Sequence, residues 1–266
     1  DSLLMWMVEI MKTSGSVHKP VITALDAGGT MTDTVIVDAE GNFTTGKALT
    51  TPKDESIGFA NSVADAASYW KMSLSDVLQQ VLTTVYSGTI MINTLHTRSG
   101  LKVGLITTKG FEDCILMERG LVWLGYSYPD RLHTVTHVHN EPLVPMKRVK
   151  GVTERIDMMG EVVIPLYKQE VEKAVEELLD LGVEAIAVRF LYSYINPEHE
   201  KKAAEIAKDV MKKRGVNIPV VLSSDVAPIM REYSRLNCVL MQAYAAEPTR
   251  EQLFKIEEKA KKNGYQ

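Results

Sequence analysis

Beyond a polar tail ending at Ser14-Gly15-Ser16, three short runs of apolar and β-branched residues follow one another closely: Val21–Asp26, Thr34–Asp38 and Phe43–Leu49. Their lengths and the turn residues between them predict strands. Glu40-Gly41-Asn42 supplies the second turn, so the three form an antiparallel meander. The period then changes. From Glu55 to Trp70 the apolar residues Ile57, Ala60, Val63 and Ala67 recur at helical spacing, which predicts an amphipathic helix. Ser73 can cap a second helix over Leu74–Leu82. A strand Thr83–Tyr86, a helix around Ile90–Arg98, a strand Lys102–Thr107 and a helix beginning within Gly110–Met117 continue the alternation. Antiparallel strands followed by alternating helix and strand predict an α/β fold, a mixed sheet with helices packed on it.

The periodicity breaks between Gly120 and Pro145, where Leu124-Gly125-Tyr126-Ser127-Tyr128-Pro129 and Asn140-Glu141-Pro142 mark a long irregular connection of the kind that often carries function. A second α/β segment follows: strand Glu161–Leu166, helix Gln169–Leu181, buried strand Glu184–Leu191, helix Glu198–Arg214 and strand Val220–Ser223. Glu232–Lys262 reads as helical with a break at Pro248. The expected organisation is a tail over residues 1–20, a domain over 21–205 and the start of a further domain over 206–266.

Chemistry concentrates between the first two strands, in Asp26-Ala27-Gly28-Gly29-Thr30-Met31-Thr32-Asp33. Two glycines allow a tight turn whose backbone approaches a ligand with no Cβ in the way. Peptide N–H groups and the hydroxyls of Thr30 and Thr32 can then point at phosphate oxygens. Asp26 at the strand end offers a carboxylate to a hydrated Mg²⁺, which keeps several waters and few protein ligands. An ordinary hairpin is the plain alternative for Gly-Gly-Thr, and Asp33 can equally satisfy backbone N–H groups. The acidic groups on both sides and the neighbouring hydroxyls favour phosphate.

Composition narrows the classes. With 266 residues, 45% of them hydrophobic, the chain can bury the core of one large or two ordinary domains. A net charge of −4 supplies no basic field for nucleic acid. No apolar run approaches a membrane span, and Leu3–Val8 lacks the basic start and cleavage site of a signal peptide. Cys114 and Cys238 form no CxxC pair, which fits a reducing cytoplasm; Cys114 is expected in the core. A start at Asp1 with Met5, Met7 and Met11 just inside is expected of a processed or fragmentary chain. His133, His137 and His139 invite a metal site. No cysteine or paired carboxylate accompanies them beyond Glu141, so a lid or subunit contact around Trp123, Tyr126 and Tyr128 is expected instead. His96 and His199 are expected to be solvated or half-buried.

The hairpin heads an ordered series: Thr50-Thr51-Pro52, Ser87-Gly88-Thr89 with Asn93, Gly104 to Asp113, Pro142-Leu143-Val144-Pro145, Glu154-Arg155-Ile156-Asp157, Gly182 to Val188, Tyr192 to Glu200, and Arg231-Glu232-Tyr233. This series resembles the hydantoinase/oxoprolinase family, whose members couple ATP cleavage to amide hydrolysis or to carboxylation of ketones. Met31, Val85 to Thr89, and Leu124-Gly125-Tyr126 leading to Asp130-Arg131-Leu132-His133 resemble the β subunits of its acetone-carboxylating branch.

The resemblance implies an actin-like (ribonuclease-H-like) ATPase lobe. It implies ATP phosphates and Mg²⁺ at Asp26, Gly28, Gly29, Thr30, Thr32 and Asp33, with Asp26 as metal ligand and catalytic group. Ser87, Gly88, Thr89 and Asn93 would be a second contribution to the nucleotide cleft. Family members are much longer, and their second phosphate hairpin has no counterpart here, so half of an ATP site is expected. The implied reaction converts acetone and bicarbonate to acetoacetate by way of phosphorylated intermediates. The implied partners are α and γ subunits, one holding Mn²⁺. The alternatives are an ATP-dependent amidohydrolase on 5-oxoproline or hydantoins, and a non-catalytic assembly subunit.

Overall fold

The structure, a computed structural model, describes residues 18–117, 125–138 and 141–266. It divides into two compact units, one of residues up to Thr97 together with 249–266, the other of Arg98–Pro248.

The first unit opens with β1 (Pro20–Ala27), β2 (Met31–Asp38) and β3 (Phe43–Leu49), followed by α1 (Glu55–Ser68), α2 (Leu74–Leu78), β4 (Thr83–Gly88) and α3 (Ile90–His96). The sheet order is β3-β2-β1-β4. The first three strands are the antiparallel meander, and β4 returns parallel to β1, α1 and α2 supplying the crossover that a parallel pair needs. Asp54 caps α1 by accepting from the Ser56 amide, and Ser73 forms a capping box with Asp76 on α2. α2 stops at Leu78, short of the Leu82 that periodicity predicts, because the Leu82 amide already donates to Val21 O at 2.8 Å and starts the next strand.

Helix α1 lies on one face of this sheet and buries Phe59, Val63, Ala66 and Ala67 against Leu25 and Ile36. The approach is close because Gly46 has no side chain: a Cβ there would sit 2.2 Å from Ala66 N. Two buried hydroxyls finish the joint, Thr34 to Ser62 Oγ at 2.7 Å and Thr44 to Ala66 O at 3.1 Å. Each satisfies a polar group inside an apolar layer.

The second unit holds β5 (Val103–Thr108), β6 (Val149–Val152), the small pair β7 (Arg155–Ile156) and β8 (Val162–Ile164), α4 (Lys168–Asp180), β9 (Ala185–Arg189), α5 (Glu198–Arg214), β10 (Val220–Leu222) and α6 (Glu232–Met241). Its main sheet, β10-β9-β5-β6, is wholly parallel. α4 and α5 bury Val171, Val175, Leu178, Ala203 and Ala207 against it. β9 is buried along its whole length, as its apolar run Ala185–Val188 suits, and the buried Arg189 ends it.

Several expectations are corrected. The helix within Gly110–Met117 is only a 3₁₀ turn, Glu112–Ile115: Gly110 is left-handed at φ +86°, and its N–H goes to the Glu112 carboxylate at 2.7 Å. β6 and β7 are additional strands, too short to carry a period of their own. Pro248 does not break the last helix. The π-helical turn Gln242–Ala246 runs directly into α7 (Glu247–Lys262), and the Tyr244 carbonyl, four residues before Pro248, accepts from Leu101 N at 2.9 Å in place of the N–H that proline lacks. No helix among the described residues is long and apolar enough to cross a membrane.

A buried polar network joins the ends of the second sheet to α5 and α6. Glu200 accepts from Phe190 N at 2.9 Å, Ser223 Oγ at 2.6 Å and Ser224 N at 2.9 Å. Arg235 donates to Phe190 O at 2.8 Å and Ser223 Oγ at 3.0 Å and pairs with Glu232. His199, expected near the surface, is buried against Glu154 at 2.8 Å, and Glu154 also takes the Thr108 hydroxyl. Cys114 is a core residue, its Sγ 2.9 Å from Arg189 Nη2.

Candidate phosphate-binding hairpin

The turn between β1 and β2 consists of Gly28, Gly29 and Thr30, with Gly28 N donating to Met31 O at 2.9 Å. Neither glycine has a positive φ, so torsion does not demand glycine at either position, and space is tight only at Gly28. A Cβ on Gly28 would lie 3.2 Å from Met31 O, and one on Gly29 would lie 3.5 Å from Asn93 Nδ2. Gly29 and Thr30 are exposed at the tip.

Strand register assembles the rest. Asp26 pairs with Asp33 across the antiparallel ladder and with Ser87 across the parallel one, while Asp33 pairs with Lys47. Lys47, Asp33, Asp26 and Ser87 therefore form one transverse row over four strands, all on the sheet face opposite α1 and all exposed. Lys47 Nζ holds Asp33 at 2.9 Å. Asp26 makes no hydrogen bond or ion pair with any described residue and is the free carboxylate of the row. Thr89 N donates to Ala27 O at 3.1 Å, and Asn93 Nδ2 donates to the Thr89 hydroxyl at 3.2 Å. Gly88 follows Ser87 at the end of β4.

Thr32 stands apart from this row. Alternation turns it to the other face, where it is buried and its hydroxyl meets Thr50 Oγ1 at 3.0 Å. Thr50 also donates its amide to Thr30 O at 2.9 Å, and Thr51 Oγ1 takes the Gly58 amide at 3.0 Å. The Thr50-Thr51 pair thus braces the hairpin from below against the start of α1. Neither Thr50 nor Lys47 is among the residues that the sequence singles out for binding; the Thr50-Thr51-Pro52 motif was the available signal. Nearby, Tyr86 donates to the Glu55 carboxylate; burial raises its phenol well above the ordinary range, and the charges of Glu55 and Asp26 add to the effect.

Elsewhere, Tyr126 and His137 stack at 4.9 Å, and His137 Nε2 lies 3.0 Å from Asp130 O. His133 is exposed on the same connection, while Trp123 and His139 lie outside the described residues. No group of three metal-ligating side chains occurs among the described residues.

A mixed α/β lobe that starts with a meander and carries a glycine-rich turn beside a free aspartate defines a recognisable class. Residues 22–211 match the hydantoinase/oxoprolinase N-terminal region, and the chain belongs to that family. It is 43% identical over 94% of its length to the acetone carboxylase beta subunit of Xanthobacter autotrophicus. It is 35% identical over 91% of its length to the acetophenone carboxylase gamma subunit of Aromatoleum aromaticum. Among solved structures, a nucleotide-free acetone carboxylase superposes over 93% of the chain with a TM-score of 0.87. An ATP-dependent caprolactamase from Pseudomonas jessenii, 26% identical, superposes over 92% with a TM-score of 0.79. These likenesses bear out the actin-like lobe. The chain spans only 35% and 33% of the two carboxylase subunits.

Proposed function

We propose that this chain is the phosphate-binding part of an ATP site in the β-type subunit of a ketone carboxylase. The observation that carries the proposal is the free Asp26 carboxylate, set in the Lys47–Asp33–Asp26–Ser87 row at the mouth of the hairpin. The similarity to two carboxylase subunits supports it. The residues fit a nucleotide with Mg²⁺: Asp26 is unpaired, and the missing side chain of Gly29 leaves the tip open beside Asn93. When bound, the ion neutralises phosphate charge.

The chain's own groups do the rest. The Gly29 and Thr30 amides and the Thr30 hydroxyl donate to phosphate oxygens. Thr50 orients the turn by holding the Thr30 carbonyl, and Thr32 anchors it from the buried side. Lys47 occupies Asp33, so that Asp26 is the carboxylate presented to the metal. Ser87, Gly88, Thr89 and Asn93 border the same opening. Phosphoryl transfer needs positioning and charge neutralisation more than covalent help, which is what such a cradle supplies. Acetone is a poor nucleophile and bicarbonate a poor electrophile, and phosphorylating both makes their union feasible. The proposal includes α and γ partner subunits, Mn²⁺ in one of them, and a cytoplasmic setting. It takes residues 21–205 as the N-terminal domain and 206–266 as the start of the next.

The test is nucleotide cleavage by the full-length protein co-purified with its partners, with products resolved. AMP release that needs both acetone and bicarbonate, and is lost in Asp26→Asn, is the expected result. ADP release stimulated by 5-oxoproline or a hydantoin overturns it in favour of an amidase. Absence of stimulated cleavage leaves an assembly subunit.

A further inference from the structure

Arg148 ends the 3₁₀ turn Met146–Arg148 that leads into β6. Only 9% of it is exposed, and its Nε is buried without a hydrogen-bond acceptor among the described residues. Burial holds its pKa below the ordinary guanidinium value. The charge of Glu184 opposes that trend without a bond to Arg148. A charged N–H removed from water with no acceptor is costly. An arginine also cannot escape the cost by giving up its proton. Such a group is retained where an anion completes it.

The space for one is present. A pocket of about 260 Å³ opens beside Arg148, lined by Arg98, Gly100, Lys102, Glu141 and Tyr244 among others. At roughly 30 Å³ per water, it holds a small oxyanion and a few waters. Its floor is fixed. Tyr244 sits in the π-helical turn and lies so flat on Gly100 that a Cβ there would be 2.3 Å from the ring, and Leu101 N donates to Tyr244 O at 2.9 Å. Arg98 is anchored through Nη2 to Glu141 O at 2.9 Å. The Lys102 ammonium is held by Leu181 O, and its backbone amide by Glu184 at 2.8 Å. Arg98 and Lys102 thus each have an oxygen partner, whereas the buried Nε of Arg148 has none among the described residues.

We infer that this pocket binds a small oxyanion, a carboxylate or a phosphate, with Arg148 as its fork and Arg98 at its rim. A planar guanidinium matches two side-by-side oxygens of either. The site is independent of the hairpin and stands whether or not the carboxylase proposal does.

The test is equilibrium dialysis of the full-length, co-purified protein against labelled inorganic phosphate in one arm and labelled acetate in the other, with ionic strength fixed by chloride. The wild type is expected to bind one more saturable equivalent per chain than R148M, and the arm in which this occurs identifies the ligand chemistry. Oxyanions held at the hairpin count equally in both proteins and cancel. R98Q, changed at an exposed position, weakens the same site by about tenfold through loss of a charged hydrogen bond. Equal site counts for wild type and R148M in both arms overturn the inference. Should R148M fail to fold, unchanged affinity of R98Q in both arms overturns it.

Discussion

Gly46→Ala is the sharpest probe of how the hairpin is supported. The added methyl would lie 2.2 Å from Ala66 N, 2.4 Å from Ser62 O and 2.7 Å from Ala66 Cβ. All three atoms belong to α1, and two are backbone, so no side chain can swing away. To reach ordinary contact, the middle of α1 must retreat from β3 by about 1 Å, a gap that forfeits a quarter to a half of the dispersion energy at the joint. Overpacking of this kind costs about 1–3 kcal/mol. The rigidity of the obstacle puts the expectation near the upper end, at about 3 kcal/mol.

Native-state hydrogen exchange on the α1 amides of the full-length protein measures this directly, because it reads local opening without requiring two-state unfolding. Protection should fall roughly a hundredfold. Gly41→Ala is the control: Gly41 has φ +86° but nothing within 4 Å of its missing Cβ, so it should cost only the left-handed penalty of about 1–2 kcal/mol. Protection of α1 in G46A within threefold of wild type, or a loss no larger than in G41A, would refute the steric argument.

Two further outcomes are expected. Burial raises the Asp38 carboxyl, but hydrogen bonds from His18, the Asn42 side chain and the Asn42 and Glu40 amides outweigh it and hold the pKa at about 2. The folded value lies below the ordinary 3.8, so its stabilisation is complete above about pH 4 and disappears as pH falls through 2. The difference in thermal midpoint between wild type and Asp38→Asn should therefore shrink over that interval, and a difference constant with pH would contradict it. Arg235→Leu takes from Glu232 the nearer of its two guanidinium partners, leaving Arg189 at 3.7 Å, and leaves Ser223 and Phe190 O short of a donor. A loss of about 3–5 kcal/mol is expected, and denaturant unfolding showing less than 1 kcal/mol would mean that the network is not acting as a unit.

The local events follow from short stretches of the chain. Short apolar runs with turn residues between them defined the meander, periodicity defined α1, α4 and α5, and two glycines flanked by aspartates marked the turn as a place for phosphate. These are legible because each depends on residues a few positions apart. The rest depends on register between distant strands. No spacing in the sequence announces that Lys47, Asp33, Asp26 and Ser87 share a row, since β4 enters the sheet only after two helices. Thr32 and Asp33 are neighbours in the chain, yet pleating sends one hydroxyl into the core and one carboxylate to the open face. Arg148 reads as one more basic residue before a short strand. Only packing buries its Nε away from every acceptor among the described residues, and that is what marks the pocket beside it as a place for an anion.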